Sequence, residues 1–150
     1  MKFKYLIILL AIIFALPSFA QTPSNQENKR KEMMEFKLKF LGDEIQLNDS
    51  QRKQFDEVYT QMEMERRSIF KKIKAAEKLI NENKNATEAD YDRATKEISN
   101  AKSQMDQIEK KYAAKFSQFL SKKQIYKLKE AENKFNDTMR KCGNKKRHNK

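Results

Sequence analysis

From residue 29 onward, apolar side chains recur three and four positions apart, the spacing that lines one face of an α-helix. Met33, Phe36, Phe40 and Leu41 mark a short first helix, and Gly42 is placed to end it in a left-handed conformation. After a link over Asp43 to Leu47, a second stripe runs through Phe55, Val58, Met62, Ile69, Ile73, Ala76 and Ile80, with a polar interruption around Glu65 and Arg66. It stops at the polar run Asn81 to Ala86. Thr87-Glu88-Ala89-Asp90 resembles a capping box and opens a third helix, whose stripe of Tyr91, Ala94, Ile98, Ala101, Met105, Ile108, Tyr112, Phe116 and Phe119 is the most regular. A fourth helix carries Ile125, Leu128, Ala131, Phe135 and Met139 and is expected to end near Cys142-Gly143.

The pattern predicts an all-α chain of four helices, forming one elongated helical domain over residues 29–140. Long helices with a single apolar seam cannot bury it alone, so the second and third are expected to pack as a long antiparallel hairpin. So thin an arrangement leaves apolar surface in water, and a second copy of the chain is the expected remedy. Tyr59, Phe70 and Tyr126 stand at or beyond the edges of the stripes. They are the residues whose side chains could form an adhesive face.

Composition narrows the chemistry. The 150 residues include two Gly, two Pro, one Cys and one His. Such a chain lacks the material for tight hairpins or a phosphate-cradling loop, which argues against barrels, sandwiches and nucleotide-binding folds. Cys142 and His148 fall within the last nine positions and cannot supply a catalytic triad, a zinc cage or a redox pair. His148, Met33-Met34 and Met62-x-Met64 make a poor metal-ligand set. No catalytic residue, metal site or cofactor is expected. Cys142 could bridge two copies or remain a free thiol.

The first twenty residues follow different rules. Lys2 and Lys4 precede an unbroken apolar run from Leu6 to Leu16, and small residues at Ser18 and Ala20 suit cleavage before Gln21. Eleven apolar residues rise only ~16 Å as a helix, about half of the ~30 Å a membrane span needs. The pattern predicts a cleavable signal peptide over 1–20, an exported chain with no membrane span after cleavage, and a polar, disordered leader over 21–28.

Setting aside Lys2 and Lys4 leaves thirty-one basic against twenty-one acidic residues, with six of the basic ones in the acid-free stretch from Arg140 to Lys150. Residues 141–150 are expected to form a basic, disordered tail. Export removes nucleic acid as a partner, leaving a solvated terminus, an anionic membrane surface or an acidic polypeptide as readings of the excess.

Two short segments are alike. Leu47-Asn48-Asp49-Ser50-Gln51 precedes the second helix and Leu120-Ser121-Lys122-Lys123-Gln124 precedes the fourth. In each, an N-cap oxygen at Asn48 or Ser121 can accept an orphan backbone N–H, while the Gln three residues on reaches back to the cap residue's own N–H.

With these two motifs in place, the sequence resembles the Spy/CpxP family of periplasmic stress proteins, which carry Leu-Thr-x-x-Gln at helix starts. Here Asn48 and Ser121 stand where the family has Thr. The resemblance covers about Lys29 to Met139. It implies an antiparallel, cradle-like dimer that binds unfolded or misfolded polypeptides without ATP. Candidate client-binding residues are Phe55, Tyr59, Met62, Met64 and Phe70, with Arg66, Arg67 and Lys71 interleaved; the plain alternative for these cations is a solvated helix face. A second reading is a periplasmic adaptor or regulator of a membrane sensor protein responding to envelope stress or metal, and a third is a structural coiled coil.

Overall fold

Four helices make up the computed structural model, which describes residues 25–148: α1 (Asn25–Glu44), α2 (Asp49–Glu82), α3 (Glu88–Phe116) and α4 (Lys122–His148). No strand occurs among the described residues. The expected signal peptide and its cut lie outside them. The chain divides into two units, Met1–Glu32 and Met33–Lys150. Of the first, the described part is the exposed opening of α1; all the packing below belongs to the second.

The starts of α2, α3 and α4 are written in side chains. Asn48 accepts the Gln51 backbone N–H at 2.9 Å and donates its own N–H to Gln51 Oε1 at 3.2 Å. Thr87 and Asp90 form the equivalent box for α3, with Thr87 N–H bonded to Asp90 Oδ2 at 3.0 Å. Ser121 and Gln124 do so for α4, at 2.9 Å from Ser121 N–H and 3.2 Å from Gln124 N–H. Three links of a few residues are thereby fixed by hydrogen bonds made within four residues of chain.

The end of α1 departs from expectation. Gly42 does not adopt a left-handed conformation; it lies inside the helix, which runs on to Glu44. Gln46 takes the left-handed backbone, with φ 55°. Its N–H donates to Asp43 O at 3.2 Å and the Leu47 N–H donates to Gly42 O at 3.0 Å, the paired bonds of a Schellman ending. Gly42 serves a different purpose: a Cβ there would lie 2.7 Å from Arg52 Nη1, whose guanidinium crosses the buried glycine to reach Asp43 at 2.8 Å.

Both outer boundaries also differ. α1 begins at Asn25, so the second half of the expected leader is helical, and α4 continues past Cys142-Gly143 to His148, through most of the expected tail. α3 stops at Phe116, and Phe119 lies in the turn that follows.

The core gathers Leu41 and Ile45 from α1 and its end, Phe55, Tyr59, Met62 and Ile69 from α2, Ile108, Tyr112 and Phe116 from α3, and Leu128 and Ala131 from α4. Phe55 stacks on Tyr59 with ring centroids 5.3 Å apart, and Phe116 closes against both at 5.7 and 6.4 Å. Phe135 of α4 receives Phe36 and Phe40 of α1 at 5.9 and 5.6 Å. Along α2 and α3 the cross-contacts descend in one helix as they climb in the other: Gln61 with Lys115, Glu65 with Lys111 and Tyr112, Lys72 with Gln104. Tyr91, expected in the α3 stripe, is about half exposed.

Candidate functional site

The two Leu-led segments, seventy-three positions apart, meet. Gln51 Nε2 donates to Gln124 Oε1 at 3.2 Å and Gln124 Nε2 donates back to Gln51 Oε1 at 3.0 Å. Each amide also crosses to the other segment's backbone, Gln51 to Phe119 O at 2.8 Å and Gln124 to Ile45 O at 3.5 Å. Each Gln therefore does two things at once: its oxygen closes its own capping box while its NH2 grips the other link. Leu120 is buried and Leu47 packs against the core beneath the junction. The starts of α2 and α4 are held in fixed register by these amides.

A second polar cluster lies further along α2. Arg66 Nη1 donates to Glu63 at 2.8 Å and to Glu132 at 3.0 Å, and its Nε donates to Glu109 at 2.6 Å. Lys37 reaches Glu63 at 3.2 Å, and the Tyr59 hydroxyl donates to Glu132 at 2.7 Å. One guanidinium thus joins α2 to α3 and α4, and Lys37 adds α1 through the shared carboxylate. Burial works against the charged form of Glu63, but the hydrogen bonds and charges of Arg66 and Lys37 outweigh it and hold its carboxyl below the usual range. Burial and the neighbouring Glu132 and Glu63 push the Tyr59 phenol far up, and it stays protonated as a donor. Burial and the Glu65 hydrogen bond push Tyr112 up to about 12.

Above this network opens a cleft of about 650 Å³, walled by Arg67 and Phe70 of α2, Met105 of α3 and Asn133 and Asn136 of α4. Phe70 is 54% exposed, with Lys74 Nζ 5.5 Å from its ring centre. Arg67 has no ion-pair partner among the described residues. The carboxylates below are already engaged, so the cleft offers a visitor an aromatic ring, a thioether, two amides and a free guanidinium. Those groups are chemically suited to contact with segments that mix apolar and polar groups.

The sequence-predicted client residues separate into two sets. Met64, Arg67, Phe70 and Lys71 are exposed. Phe55, Tyr59 and Met62 are core residues, at 0%, 0% and 3% exposure, and cannot meet a client without unfolding. Arg66 is neither a contact residue nor a solvated cation, since three carboxylates surround it. Tyr126 is two-thirds exposed, as its edge position implied.

Sequence reading missed Glu63, Glu109, Glu132 and Lys37. A signal for the network was present: Arg66 lies four residues after Met62 and three before Ile69, so the polar interruption of α2 sits in the buried stripe itself. A charged residue at a core position implies partners on neighbouring helices. Comparison with known proteins adds nothing to this geometry: no protein-family model, curated protein or solved structure matches the chain.

Proposed function

We propose that this chain is an exported, ATP-independent chaperone-like protein of the Spy/CpxP type, binding unfolded or misfolded polypeptides in the periplasm. The observation that carries the reading is the exposed mixed surface of α2, with Arg67 and Phe70 lining the cleft and Met64 and Lys71 exposed on the same helix, set against a core that already contains the neighbouring aromatics. Apolar contact there holds a client of no fixed sequence, and unpaired cations speed encounter. The meeting of Gln51 and Gln124 gives both Leu-led motifs a common structural task, in keeping with a shared motif. On this reading α2 and α3 act as a long antiparallel hairpin, and two copies form a cradle around the client.

The test is light scattering from chemically unfolded proteins diluted into buffer with and without this chain. Suppression of aggregation for several unrelated proteins, weakened by Met64→Ser with Phe70→Ser, is the expected result. Both positions are exposed, so the double variant retains its fold, whereas Phe55→Ser and Tyr59→Ser would report only on unfolding. No suppression by the native chain overturns the chaperone reading. Binding to one acidic sensor domain and to none of the unfolded proteins would establish the adaptor alternative, which the excess of positive charge favours.

A further inference from the structure

The positive charge of this protein is not spread over its surface. Counting side chains helix by helix, α1 and α3 are each balanced and α2 carries eight basic against seven acidic residues. α4 carries ten basic against three. Of those three acids, Glu132 is committed to Arg66 and Tyr59, and Asp137 is paired with Arg140 at 2.8 Å. Cations kept only for solubility have no reason to collect on one element, because dispersed charges repel one another less.

The apolar stripe of α4, Leu128, Ala131 and Phe135, faces the core, so the cations between Lys122 and Lys141 lie on the remaining surface. Lys122, Lys123, Lys129 and Lys141 are exposed, Lys127 is half-buried, and none of the five has an acidic partner among the described residues. Tyr126 stands among them, 66% exposed. Lys122 and Lys123 occupy the first turn of α4, where the helix dipole is positive and where α2 and α3 instead place acids. That local repulsion is relieved by an external anion.

We propose that the outer face of α4 docks on a membrane surface rich in anionic phospholipid headgroups. Three features favour lipid over an acidic polypeptide. The exposed cations from Lys122 to Lys141 run along ~30 Å of helix, matching an extended sheet of phosphates better than a compact acidic motif. Eight of the ten are Lys, a mobile point charge suited to a fluid array, where a specific protein carboxylate site favours the forked geometry of Arg. Tyr126 has the amphipathic ring that sits at headgroup level. Docking of this kind needs no membrane span, and no described helix is long and apolar enough to cross one.

The test is cosedimentation of the processed, exported chain with vesicles of phosphatidylglycerol mixed with phosphatidylcholine, and with phosphatidylcholine alone, at low and physiological salt. Binding to the anionic vesicles only, weakened by salt, is expected. The variant Lys122→Gln, Lys123→Gln, Lys129→Gln should lower the partition coefficient about a hundredfold. A control removing the same charge from exposed positions elsewhere, Lys53→Gln, Lys102→Gln, Lys110→Gln, should lower it less than tenfold, with circular dichroism showing both variants helical. Equal losses in the two variants would mean that net charge alone acts and would overturn the assignment of α4. Absence of vesicle binding, with or without capture of polyglutamate in the same buffer, would overturn the lipid partner outright.

Discussion

The reciprocal amide pair makes a quantitative prediction about folding. In Gln51→Ala the side chain's four hydrogen bonds disappear: those with Asn48 N–H and Phe119 O, and the two shared with Gln124. At about 0.5–1 kcal/mol net for each, the lower half of the usual range because the bonds are exposed or only part-buried, the loss is about 2–4 kcal/mol. Gln124→Ala loses the bonds to Ser121 N–H and Ile45 O together with the same shared pair, and should cost a similar amount. Ala is the better helix former, so propensity does not explain either loss. The double variant removes the shared bonds once, not twice, so it should be destabilised by about 1–2 kcal/mol less than the sum of the singles. Urea denaturation followed by circular dichroism, with an unchanged slope across the set, measures this coupling. Thr87→Ala, which removes a cap of about 1 kcal/mol sharing no partner with Gln51, should add to Gln51→Ala without coupling. Additivity of Gln51→Ala and Gln124→Ala within about 0.5 kcal/mol would refute the claim that the two segments form one junction.

Three further outcomes follow from the same geometry. Arg66→Met leaves Glu63 with Lys37 and Glu132 with the Tyr59 hydroxyl, each carboxylate about one-fifth exposed, and should cost about 2–3 kcal/mol in urea denaturation, below the ~3–5 expected for a buried charge left without a partner. Gly42→Ala should be within about 1 kcal/mol of neutral, because the helical site gains from Ala while the mobile Arg52 tip shifts; Gln46→Gly should stabilise by about 0.5–1 kcal/mol by relieving its left-handed backbone, and the reverse ranking would restore Gly42 as the cap. Glu63 has a folded pKa below its unfolded value of about 4.3, so its contribution is complete above that pH and is lost as pH falls through the folded value; Glu63→Gln should lose stability at neutral pH and show a shallower decline below pH ~4.

The helices were legible because their stripes are periodic; the cap sequences gave the starts of α2, α3 and α4 to within a residue or two, and the polar run at Asn81 gave the end of α2. The ends of α1 and α4 were not legible, since a helix can continue through Gly or through a basic run wherever nothing competes, as α1 does at Gly42 and α4 does past Gly143. Phe55, Tyr59 and Met62 proved to be core residues for a different reason. A helical wheel of α2 alone places Tyr59 at an edge, and a two-helix hairpin would leave that edge wet. Here α1 and α4 fill it: Lys37 Nζ sits 5.2 Å from the centre of the Tyr59 ring and Glu132 takes its hydroxyl. Positions lateral to a stripe are decided by which third and fourth elements arrive, and no pattern internal to α2 carries that information.

The distribution of charge shows the same dependence on boundaries. Divided near Arg140, the sequence reads as a nearly neutral body with a cationic tail, and the tail invites the bland interpretation of a solvated terminus. Extending α4 to His148 moves those residues onto the same element as Lys122, Lys123, Lys127, Lys129 and Lys134. The other three helices then retain a combined excess of a single positive charge. What had looked like an appendage with a charge becomes one helix whose inner face completes the core through Leu128, Ala131 and Phe135, and whose outer face exposes Lys122, Lys123, Lys129 and Lys141. The inner face ties that feature to the cleft, because Glu132, Asn133 and Asn136 of the same helix line it. An anionic surface held by the outer face would therefore keep that cleft at a fixed position relative to the surface.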